Sequence, residues 1–225
     1  TKDINKNIKN IIPGILLPLT IIFIFFLKYN SHSLFGFIGI ILSSWIITNI
    51  LINLIQKIQK FIKQKKTNYN PISMILSHFG IGLLIIGITA SSIWQDEKIV
   101  RIKLNEEIKI KNYKIIFKEI KKVNGSNYLS QQGVFFVYNN KDENIAVLKP
   151  ENRFYPVTNT ATTEASINTS LIRDLYLVLG SGNINDGWIV RAYYNPLVIW
   201  IWIGVFITFI GGIFSLFNNL KSLKK

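Results

Sequence analysis

Four runs of almost uninterrupted apolar residues constrain this chain more than anything else in it. They lie at residues 11–27, 34–55, 72–94 and 196–217. A hydrocarbon core of about 30 Å takes roughly 20 helical residues, so the last three runs are long enough to cross a bilayer. The first is short and holds Pro13 and Pro18. With Lys2, Lys6 and Lys9 before it, that run looks like a signal peptide, but it is long for one and no small-residue cleavage site follows, so we read a retained span. A mean hydropathy of +0.30 over 225 residues suits a membrane protein carrying one modest soluble domain. The expected division is a membrane part at 1–94 with three helices (11–27, 34–55, 72–94), an extracytoplasmic β domain at 95–195, and a last helix with a basic cytoplasmic tail at 196–225. The first residue is Thr1, from which we expect a piece of something longer.

The net charge of +14 invites a nucleic-acid partner, and the distribution of that charge argues against one. Residues 94–194 hold 14 basic and 11 acidic side chains, whereas the remainder holds 12 basic residues and Asp3 alone. Eleven of those 12 fall in three stretches: Lys2, Lys6 and Lys9; Lys57, Lys60, Lys63, Lys65 and Lys66; Lys221, Lys224 and Lys225. Short basic flanks stay on the cytoplasmic side, and four alternating spans put all three stretches there. Both termini are then inside and residues 95–195 are translocated, into the periplasm or its equivalent.

The translocated segment reads as strands and turns. Candidate strands are 99–104, 107–111, 113–120, 133–138, 145–149, 175–179 and 188–194, with Asn139, Asn140, Lys141 and Asp142 forming a hairpin turn. A small antiparallel barrel or sandwich is expected. With no cysteine, the chain has no disulfide, no redox pair, no thiolate zinc site and no Cys-x-x-Cys-His haem attachment site. Two histidines and scattered carboxylates argue against a self-contained catalytic triad or multi-ligand metal site.

His78 is the residue that demands an explanation. It lies in the third apolar run, which carries no formal charge from Pro71 to Trp94. An ionisable group in a span is a functional candidate by default, and leaving it unbonded there costs roughly 2–7 kcal/mol. Its bond is to a neighbouring helix, to a metal or haem iron, or in a proton relay. Ser73, Ser77, Gly80, Gly87 and Ser91, with Leu84 filling the gap, form a narrow stripe beside it. Gly204, Thr208, Gly211 and Ser215 repeat the device in the last run. Such stripes let helices, or a flat ligand, come close. His32 falls in the short outer loop, and His78 only seven residues from the inner end of its helix. The two rings are then about 20 Å apart along the membrane normal and cannot share an iron.

Several stretches together resemble one family. They are SHFGIG (77–82), GSNY (125–128), PENRFYPV (150–157), TTEASI (162–167), DLYLVLG (174–180) and WIVRAYYNPLVIWIWIG (188–204). In combination and order they are similar to the C-terminal part of the CcmF family, the membrane haem lyases of cytochrome c maturation. The resemblance covers about two thirds of the chain, and residues 1–73 match in hydropathy alone.

The resemblance implies that His78 is an axial ligand of a permanent haem b, with the second ligand outside this chain. Haem also serves as the transferred substrate, brought by a periplasmic haem chaperone and joined by thioether bonds to apocytochrome c. The family's tryptophan-rich haem-binding segment and its two flanking outer-side histidines are absent, so this chain alone is expected to be inactive. Other maturation subunits are implied as partners, no nucleic acid is, and the compartment is the bacterial inner membrane, or the mitochondrial one if the gene is organellar. No catalytic residue is assigned. Thr162, Thr163 and Glu164, with Arg153 and Arg191 as anion partners, are either a contact patch or ordinary strand-end chemistry. The rival function is a non-catalytic assembly subunit that docks partners through its β domain while His78 bonds a neighbouring helix. A transporter with His78 as relay lacks any second intramembrane ionisable group.

Overall fold

In the computed structural model, Gly14 and residues 18–20, 33–64 and 71–222 are described. The expected helix at 11–27 and His32 lie almost wholly outside them. The described chain divides into a helical unit, drawn from residues on either side, and a β unit at Trp94–Pro196.

Three helices make up the described helical unit: α1 (Leu34–Gln64), α2 (Pro71–Ile93) and α3 (Val198–Ser222). Each contains a stretch long and apolar enough to cross a membrane, at Leu34–Gln56, Ile72–Ile93 and Val198–Phe217. Pro71 opens α2, where a missing N–H costs nothing. Between α1 and α2 the contacts run antiparallel. A Cβ on Gly36 would strike Ile93, one on Gly39 would strike Thr89, and one on Gly82 would strike Ile47. The α2–α3 seam is closer still. A Cβ on Gly80 would sit 2.5 Å from Gly204 O, and one on Gly204 would sit 2.6 Å from Gly80 O. Thr208 Oγ1 donates to Gly204 O at 2.8 Å and stands 3.4 Å from Ser77 O. The small-residue stripes therefore accommodate each other and bring two helix backbones together, as such stripes do in membranes.

The β unit is a sandwich of two antiparallel sheets. One has the order β1–β10–β9–β8 and the other β2–β3–β4–β6–β7, with β5 also paired to β4. The strands are β1 (Asp96–Ile102), β2 (Glu107–Ile110), β3 (Tyr113–Asn124), β4 (Leu129–Tyr138), β5 (Asn144–Leu148), β6 (Glu151–Tyr155), β7 (Thr160–Glu164), β8 (Ser166–Thr169), β9 (Arg173–Asn183) and β10 (Gly187–Pro196). Alternation decides the faces: Leu175, Leu177 and Leu179 of β9 are buried, as are Ile108 and Ile110 of β2. Phe117 and Phe135 stack at 4.4 Å, and Trp188 of the other sheet meets Phe117 edge-on at 5.5 Å. The Trp188 indole N–H donates to Gln131 at 3.1 Å, which satisfies the one polar atom this large side chain brings inside.

Where the sequence suggested seven strands there are ten. β6, β7 and β8 were missed, because none shows apolar alternation and all five residues of β7 are exposed. The hairpin at Asn139 is present: its side chain accepts from the N–H groups of Lys141 and Glu143, and Asp142 has φ 56°, a left-handed conformation that Asp tolerates.

Candidate functional site

His78 stands on the face of α2 turned toward α1. Its Nδ1 is 2.8 Å from the Met74 carbonyl oxygen one turn earlier. A carbonyl can only accept, so Nδ1 carries a proton, and in the neutral ring the lone pair is on Nε2. The ring is exposed at the surface of the helical unit. It borders a cleft of about 290 Å³ lined from α1 by Trp45, Ile46, Asn49, Ile50 and Asn53, and from α2 by Met74, Ile75 and His78. Asn49 is held by donating Nδ2 to the Trp45 carbonyl at 2.8 Å.

The cleft is not where the small residues pointed. A flat ligand beside the Ser77–Gly80 stripe has no room, because α3 fills that stripe at backbone distance. His78 lies round the helix from it, on the same side as Gly82, which packs on Ile47 of α1. Trp45, Asn49 and Asn53 recur at i, i+4 and i+8 on α1, the spacing of one helix face. That period is legible in the sequence, although none of the three residues carries a charge to single it out.

Among the described residues, no cluster of three or more His, Cys, Asp or Glu could hold a metal ion. At the cleft, His78 Nε2 is the imidazole nitrogen placed to bind one.

Within the β unit, Arg153 and the Thr162–Glu164 stretch are joined by strand pairing. Thr162 lies opposite Arg153 and Glu164 opposite Glu151 across β6–β7. Arg153 Nε donates to Glu151 at 2.8 Å, a second guanidinium nitrogen is 3.6 Å from Glu164, and the group lies 4.4 Å over the Tyr128 ring. Burial alone would push the Glu151 carboxyl up. Hydrogen bonds from Arg153 and Gln132 outweigh it and hold the group below its usual range. Arg153 is raised, chiefly by its bond to Glu151. This is ladder chemistry that fixes an edge strand. Arg191 is elsewhere, on the outer face of β10, and forms no ion pair among the described residues.

Arg173 escaped the sequence reading. It is 4% exposed, donates to the Asn168 backbone and side-chain oxygens at 2.7 and 2.6 Å, and lies 4.7 Å over Tyr113. It joins the start of β9 to the end of β8, and an arginine beside an exposed Leu-Ile pair gives no sequence signal for that.

Residues 93–196 match the model of the CcmF C-terminal beta-sandwich. The cytochrome c-type biogenesis protein CcmF of Escherichia coli is 35% identical over 154 residues, covering 68% of this chain and 24% of that protein. The chain belongs to the CcmF family. Its counterpart in Haemophilus influenzae is 34% identical over 160 residues, covering 71% and 24%. The Rhodobacter capsulatus biogenesis protein ccl1 is 26% identical over 218 residues, covering 95% and 33%. A solved structure of the cytochrome c haem lyase CcmF shares the fold, with a TM-score of 0.65 at 16% identity over 90% of this chain and 33% of that one. This member of the CcmF family is thus a multi-pass membrane protein, and it spans about a quarter of the length of the first two relatives.

Proposed function

We propose that this chain is the C-terminal portion of a membrane haem lyase and that His78 is one axial ligand of a resident haem b. The carrying observation is the Nδ1 bond to the Met74 carbonyl, which in the neutral ring puts the lone pair on Nε2 beside an apolar cleft. Axial histidines are fixed in this way, with the outer nitrogen donating to a carbonyl or carboxylate. The fit is to one ligand. The cleft is open, and the second ligand and the rest of the covering come from outside these residues. When bound, the haem supplies an electron to the haem being attached. The chain's own residues hold the ligand tautomer and present Trp45 and aliphatic side chains to an apolar macrocycle.

In this reading the β unit faces the periplasm, with both chain termini on the cytoplasmic side of the inner membrane, as the lysine-rich flanks favour. Apocytochrome c, a haem chaperone and other maturation subunits are its partners, and thioether formation belongs to the assembled complex. The test is holocytochrome c production in cells whose own copy is deleted. His78→Ala is expected to abolish covalent haem attachment while the protein stays in the membrane and still copurifies with its partners. Full attachment by that variant would favour a docking subunit instead.

A further inference from the structure

The chain switches sheets at one residue, and the switch leaves two backbone edges open. Strand β8 pairs with β9 only from Ser166 opposite Leu177 to Thr169 opposite Asp174. Before Ala165, the chain is β7, which pairs with β6 of the other sheet. From Val178 to Asn183, β9 has β10 as its single described partner, and β7 is the last strand of its sheet. Strands β7 and β9 nevertheless lie against each other. Beside them is a cleft of about 720 Å³, within the range of ligand sites.

The lining of that cleft is specific. Thr163 comes from the β7 face opposite the Arg153 ladder, since successive strand residues point to opposite sides. The floor is the outer face of β9 and β10, where Tyr176 meets Tyr193 edge-on at 5.5 Å and Arg191 stands opposite Val178. The Tyr193 hydroxyl is shared with Glu97 and Arg191, Glu97 being the stronger influence. Gly180, Ser181 and Gly182 follow along the open part of β9. The glycines let β10 approach on one side, since a Cβ on Gly180 would sit 3.1 Å from Ile189 O, while the other backbone edge of this stretch has no described strand paired to it.

We infer that this split binds an extended peptide segment bearing a carboxylate, which adds as a strand to the open edge beside Gly180–Gly182 and sets its carboxylate on Arg191. Unpaired strand edges offer alternating donors and acceptors that another extended backbone matches. Arg191, which forms no ion pair among the described residues and meets Glu97 only through the shared Tyr193 hydroxyl, is the complementary charge. The lining mixes Val178, Ile189 and two tyrosines with Thr163, Ser181, Gln95 and Asn195, as suits a peptide whose side chains alternate in polarity. The inference stands independently of the haem reading.

The experiment uses the full chain in lipid nanodiscs without haem. Fluorescence anisotropy is measured with a labelled, C-terminally amidated peptide of alternating threonine and valine ending in two glutamates, and with its amidated glutamine-ended twin, which carries no carboxylate. The glutamate peptide binds, Arg191→Gln weakens it roughly tenfold, and the twin binds both proteins equally weakly. The variant is first checked for unchanged far-UV circular dichroism. The inference is overturned if neither peptide binds, if both bind alike and ignore Arg191→Gln, or if a proline-interrupted peptide binds as well as the parent. It is also overturned if glutarate alone displaces the peptide as effectively as unlabelled peptide does, or if wild-type nanodiscs pair through this face and Arg191→Gln separates them. Absence of peptide binding leaves the role of His78 untouched, and loss of haem leaves peptide binding untouched.

Discussion

At the scale of single residues, hydrogen bonds decide what two otherwise ordinary side chains can do. The Met74 carbonyl fixes the proton on His78 Nδ1, so the neutral imidazole offers a lone pair outward. That bond could not be read from sequence, although its donor and acceptor four positions apart on a helix are visible there in retrospect. Glu151 shows the opposite balance. Burial raises its pKa, but Arg153 and Gln132 prevail and lower it. A carboxyl depressed by folding contributes stability above its unfolded pKa and loses it as pH falls through the folded value. Glu151→Gln is therefore expected to lower the melting temperature of the β unit by a few degrees at neutral pH. The gap from wild type should close below the usual carboxylate range, as followed by circular dichroism. A gap that persists unchanged into acid would mean that packing, not charge, sets the effect.

Elements divide into those whose periodicity announces them and those that exist through their neighbours. Three apolar runs became α1, α2 and α3, and the alternating strands β2 and β9 carry their buried faces as the pattern predicts. β7 does not, because TATTE has no apolar face and owes its strand to pairing with β6. The glycine stripes were legible as close-packing surfaces, while their partner was not, since a stripe fits a helix or a flat ligand equally well. The seam makes a sharp prediction. Gly80→Ala places a methyl against Gly204 O and should destabilise the helical unit by about 1–3 kcal/mol. Gly212→Ala has nothing within 4 Å and should be neutral. Thermal denaturation of detergent-purified protein, followed by size-exclusion chromatography, separates the two. Equal behaviour would contradict the packing.

For the whole molecule, fold class and family were both open to inspection, because long apolar runs and several ordered motifs survive in a sequence rich in Ile, Lys and Asn. The β core is organised around Phe117, which is fully buried between Phe135 and Trp188. Phe117→Ala should cost about 3–5 kcal/mol, measured by urea denaturation of the β-unit signal, and a loss under 1 kcal/mol would be inconsistent with that core. The function rests on one ring in the other unit. It is tested most directly by the reduced-minus-oxidised visible spectrum of the family protein purified in detergent from its own membranes. The account predicts b-type Soret and α bands that are lost, or moved in midpoint potential, by His78→Ala and restored in part by added imidazole. Wild-type protein without those bands, or bands and a potential that His78→Ala leaves unchanged, would contradict it.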